Sequence, residues 1–63
     1  MNRIVLFDEG DSVKYNHPVF GEGRGIVAGK DILRNEIYVY PKKKIKGEEF
    51  LTLNSELIIL TPF

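Results

Sequence analysis

The chain has no cysteine. That excludes disulfides, thiolate metal sites and a cysteine nucleophile. It is compatible with a reducing, cytosolic setting. Histidine is nearly absent too: His17 is the only one, so an imidazole metal site has no second histidine or cysteine to complete it. Nor is there an excess of charge of either sign. Nine lysines and arginines balance nine aspartates and glutamates. No global field draws the molecule to nucleic acid or to an anionic membrane, and only a local patch could do so. Long apolar runs are missing as well, "LIIL" being typical, so no segment is long enough for a transmembrane helix. The opening "MNRIVLF" is followed at once by Asp8 and Glu9, whereas a secretory signal needs a longer apolar region and a small-residue cleavage site. These features predict a small, free-standing cytoplasmic product.

What is present has the period of strands. The 63 residues allow one domain, 1–63, which buries only about 60% of its unfolded surface. "DSVKY" alternates, with Val13 and Tyr15 on one face. "GIVAG" is apolar and bounded by glycines, and "EIYVY" is dense in β-branched and aromatic residues. "EEFLTL" and "ELIIL" complete the set. Five short strands with turn signals every 8 to 12 residues or so predict an all-β barrel or sandwich. Ile4 to Phe7 could add a sixth, edge strand. No stretch carries a helical period; Lys30 to Tyr40 comes nearest, and its β-branched second half argues against it. "NHPVFGEG" reads as a long first loop and "GKDILRNE" as a turn with Arg34 and Asn35 near its tip. "NSE" has the length of one turn of 3₁₀ helix before the last strand. The expected core is Val13, Tyr15, Ile26 or Val27, Ile37, Val39, Leu51, Leu53, Leu57 and Ile59. A one-residue slip would exchange the faces, which leaves Phe50 and Tyr38 open.

"GDSVKYNHPVFGEGRGIVAG" resembles the opening of small SH3-like (Tudor- or KOW-type) barrels: a G-D-x-V strand, a histidine-containing loop, then F-G-x-G leading into a second apolar strand. "KGEEFLTLNSELIIL" is similar to their closing pattern. The nearest likeness is to the C-terminal Tudor-like domain of UvrD/PcrA-type helicases, then to the RNA-polymerase-interacting domain of CarD and of transcription-repair coupling factors. It spans Gly10 to Leu60. The resemblance implies a five-stranded SH3-like barrel with a short 3₁₀ turn before the last strand. It also implies a module that docks onto a protein, often RNA polymerase, or in KOW-type cousins onto RNA or ribosomal partners.

"GEGRG" invites a phosphate-cradle reading. A dinucleotide fingerprint needs G-x-G-x-x-G opening a helix, and a Walker loop needs Gly-Lys-Ser/Thr. Here the spacing is G-x-G-x-G and a strand follows, so the glycines point to a tight turn or bulge. His17 precedes Pro18 and has no nucleophile at recognisable spacing. It is expected to be a loop residue bonded to backbone. Lys42, Lys43, Lys44 and Lys46 crowd one turn. They are either a solvated turn that protects a strand edge or phosphate contacts with Tyr38 and Tyr40 as stacking faces. Glu48 and Glu49 partly offset them. Among Phe20, Tyr38, Tyr40, Phe50 and Phe63, not all fit inside so small a barrel, and an outward cluster would mark a protein interface. Nothing in their spacing requires three rings to converge into an aromatic cage.

No catalytic constellation is present and no cofactor is implied. The expected function is a non-enzymatic adaptor that docks onto a larger protein through Phe20, Arg24, Tyr38 and Tyr40. By resemblance the partner belongs to the transcription or replication machinery. A chain of this size also suits a phage- or plasmid-type regulator that imitates a host module. The alternatives are a nucleic-acid-binding barrel that uses Lys42, Lys43, Lys44 and Lys46, and a structural subunit whose sheet edge pairs with copies of itself.

Overall fold

A computed structural model describes residues 3–61; Phe63 lies outside them. Among the described residues there are five strands, two short 3₁₀ turns and no α-helix. The strands are β1 (Ser12–His17), β2 (Gly21–Asp31), β3 (Glu36–Pro41), β4 (Leu51–Asn54) and β5 (Ile58–Leu60). They form one antiparallel sheet in the order β4-β3-β2-β1-β5, curled into a half-barrel. The fold is all-β, as the strand periodicity requires.

Alternation sets the faces. Val13, Tyr15, Val27, Ile37, Val39, Leu51 and Leu53 point inward and are buried. Their neighbours Lys14, Asn16, Thr52 and Asn54 are exposed, as a half-buried pleat dictates. Between Ile26 and Val27 the inward residue is Val27, and Ile26 is exposed.

The last strand departs from the expected face. Leu57 is only partly buried, Ile59 is exposed, and Ile58 fills the core. Ser55–Leu57 form the 3₁₀ turn foreseen at "NSE". A turn of period three resets the alternation, so β5 starts one residue later with its faces exchanged. The Asn54 side chain starts this turn by accepting the Glu56 N–H.

Ile4 to Phe7 do not form a sixth strand. Arg3–Leu6 make a 3₁₀ turn that brings Ile4 and Phe7, three residues apart, onto one side, where both are buried. Lys30 Nζ fastens the segment by donating to the carbonyls of Phe7 (2.7 Å) and Ile4 (3.3 Å). Its charge also faces Asp8 at 3.7 Å. Arg3 donates to the Ile58 carbonyl at 2.9 Å.

The long first loop is not observed either. β1 runs on to His17 and β2 begins at Gly21, which leaves Pro18 to Phe20 as a three-residue turn. "GEGRG" is strand. Gly21 enters it with φ 78°, a backbone region that suits glycine. Gly23 and Gly25 face inward, across the sheet from Tyr15 and Pro41. A Cβ on Gly23 would sit 2.5 Å from the Tyr15 hydroxyl, and one on Gly25 would strike the Tyr40 carbonyl and lie 2.6 Å from Val39 Cγ1. These glycines are there for close packing. The bulge falls later, between Val27 and Gly29.

Candidate binding surface

The predicted partner residues divide between two adjoining surfaces. On the outer face of β3, Tyr38 and Tyr40 project together, two residues apart. Phe50, just before β4, packs edge-on against Tyr38 with ring centroids 5.8 Å apart and planes at 85°, a favourable aromatic geometry. The three rings border a shallow pocket of about 220 Å³ floored by Ala28. Tyr40 remains 50% exposed and Phe50 45%. Ile26, cross-strand partner of Tyr40, is 41% exposed and extends the patch. Sequence spacing placed Tyr38 and Tyr40 together. Phe50 joins them only because β4 pairs with β3 in the register Tyr38↔Thr52.

The second surface is a groove of about 590 Å³ where β2 and the chain after β3 diverge. Phe20, Arg24, Lys42, Lys43 and Lys44 line it with Tyr15 and Ile45, and among the described residues Glu22 is its one carboxylate. Among the described residues no ion pair neutralises Arg24 or these lysines. Burial pushes the Tyr15 phenol above its ordinary value of 10.0, so Tyr15 keeps its proton and contributes a neutral hydroxyl. Lys46 is not brought into the groove. It lies in the Ile45–Glu48 turn, which is closed by a 3.0 Å bond from the Glu48 N–H to the Ile45 carbonyl. Arg24 and Lys42 also share a cleft with Ile26 and Tyr40, so the aromatic face and the groove are continuous.

His17 is expected in a loop but is the last residue of β1, and it bonds to backbone as foreseen. Its Nδ1 accepts the N–H groups of Val19 (3.0 Å) and Phe20 (3.2 Å). Its ring lies against Phe20 with centroids 4.9 Å apart. The imidazole thus acts as a turn cap that holds Phe20 at the groove.

Among the described residues no group of three or more His, Cys, Asp or Glu side chains is gathered as a metal site. No helix among them is long and apolar enough to cross a membrane. No known family, curated protein or solved structure matches the chain.

Proposed function

We propose that this chain is an SH3-like barrel of the Tudor/KOW type and acts as a non-enzymatic docking module for a larger protein. The meander β1 to β4, the return of β5 to β1 and the 3₁₀ turn between β4 and β5 support the barrel reading. The observation that carries the docking reading is the outward aromatic cluster of Tyr38, Tyr40 and Phe50 beside Ile26. Exposed rings in contact with one another mark protein interfaces, where aromatics serve as anchors. The transcription or replication machinery is the proposed partner class, and it rests on the sequence resemblance.

The test is affinity capture from the host, followed by calorimetry with the purified partner. A Tyr40→Ala change should weaken that complex by about 2 kcal/mol, the size of an interface hot spot. Affinity unchanged from that of the unsubstituted chain in both Tyr40→Ala and Phe50→Ala would remove the aromatic face from the reading. A chain that retains no protein above background would remove docking altogether.

A further inference from the structure

We infer that the groove between β2 and the lysine segment binds an extended acidic peptide with one apolar side chain; the inference rests on the docking reading and specifies the partner's chemistry. Charge is the first argument. Among the described residues, Arg24, Lys42, Lys43 and Lys44 share the groove with a single carboxylate, Glu22, in a molecule whose overall net charge is zero. The concentration of unpaired cations is therefore local and matched to a short anionic segment rather than to a long polyanion. Lysines present point charges that suit scattered carboxylates; the fork geometry favoured for specific phosphate recognition is represented only by Arg24.

The apolar part of the groove is the second argument. Phe20, 41% exposed, and Ile45 offer an apolar seat within the basic rim. A side chain of the partner placed there would lose water while its flanking carboxylates stay at the rim.

The third is the backbone. β2 pairs with β1 along Gly21 to Ile26, but its pairing with β3 begins only at Gly25, with one further bond from the Lys42 N–H to the Arg24 carbonyl. On that side, among the described residues, Gly21 to Gly23 have no neighbouring strand. Ladder alternation turns the Glu22 N–H and C=O toward the groove, where an extended peptide can bond to them.

The test uses the intact chain and a dye-labelled, glutamate-rich peptide with one central leucine. Its controls are the same peptide with glutamine for glutamate and a single-stranded oligothymidylate of equal charge. Fluorescence anisotropy reads affinity, and amide shifts locate the site. The expected result is binding of the acidic peptide that weakens with salt, with shifts at Gly21–Arg24 and Lys42–Ile45. It should be lost in K42Q/K43Q/K44Q, weaken about tenfold in Phe20→Ala, and persist in Lys46→Gln, which lies outside the groove. Unchanged circular dichroism and melting keep the variants comparable. Tighter binding of the oligothymidylate, equal binding of the glutamine peptide, or retained binding in the triple variant would each overturn the inference. If the captured partner binds while the acidic peptide does not, the groove inference fails and docking stands. If the peptide binds in the expected pattern while no host protein is captured, the groove stands and docking fails.

Discussion

Two glycines in the same strand carry different costs for a single added carbon. At Gly25 the new Cβ would meet the Tyr40 carbonyl, a backbone atom held in the β2–β3 ladder. At Gly23 it would meet the end of the Tyr15 side chain, which can swing toward the groove it already lines. Overpacking of this kind costs about 1–3 kcal/mol where nothing can yield. Gly25→Ala should therefore lower the urea midpoint markedly, and Gly23→Ala should lower it less. Equal losses would show that the Tyr15 ring is as immobile as the ladder. The alternation of Gly21, Gly23 and Gly25 is plain in the sequence, and its spacing rules out a dinucleotide loop. What replaces the missing Cβ atoms was not legible, because Tyr15 and Tyr40 reach these positions only through cross-strand register.

At the scale of elements, strand existence was legible and extent was not. β3 is where its β-branched and aromatic run places it. β2 is an 11-residue strand whose first half reads as loop, because glycine lowers local strand preference and tertiary pairing overrides it. The same holds for the N-terminal 3₁₀ turn. Ile4 and Phe7 are three apart, a spacing that suits a 3₁₀ face, but in four residues it cannot be told from an edge strand. The turn from β1 to β2 reads in the sequence as a long loop with a histidine bonded to backbone; the loop shrinks to three residues, and the histidine's bonds have a testable role. With His17 Nδ1 holding the Val19 and Phe20 amides, His17→Leu removes both acceptor contacts, each worth about 0.5–1.5 kcal/mol. His17→Asn retains an acceptor that can close the turn two residues on. Hydrogen exchange at Val19 and Phe20 should quicken in the leucine variant and stay slower at Val19 in the asparagine variant. Indistinguishable exchange in the two variants would mean that the three-residue turn holds Phe20 without the imidazole.

For the whole molecule, stability and binding draw on the same small reserve. At about 0.05–0.15 kcal/mol per residue, a chain of 63 residues is stable by roughly 3–9 kcal/mol. Among the described residues its buried core is ten apolar side chains, Leu53 among them. Leu53→Ala removes buried methyl groups and leaves a cavity, at a cost of about 2–5 kcal/mol, a large share of that reserve. Leu53 lies on the inner face of β4, opposite Ile37, and lines neither the groove nor the aromatic pocket. The variant should therefore lose stability without losing its binding surfaces. A ligand that binds only the folded chain returns about 2.7 kcal/mol at a hundred times its dissociation constant. Leu53→Ala should then melt at a markedly lower temperature by circular dichroism and recover part of that loss when the glutamate-rich peptide is added, with a midpoint that rises with peptide concentration. The K42Q/K43Q/K44Q changes on the same background should abolish that recovery, since they remove the groove's cations and leave the core untouched. Recovery that survives the lysine changes would place the stabilising contact elsewhere on the sheet. An unchanged midpoint in Leu53→Ala without peptide would mean that the neighbouring core side chains collapse into the space Leu53 leaves.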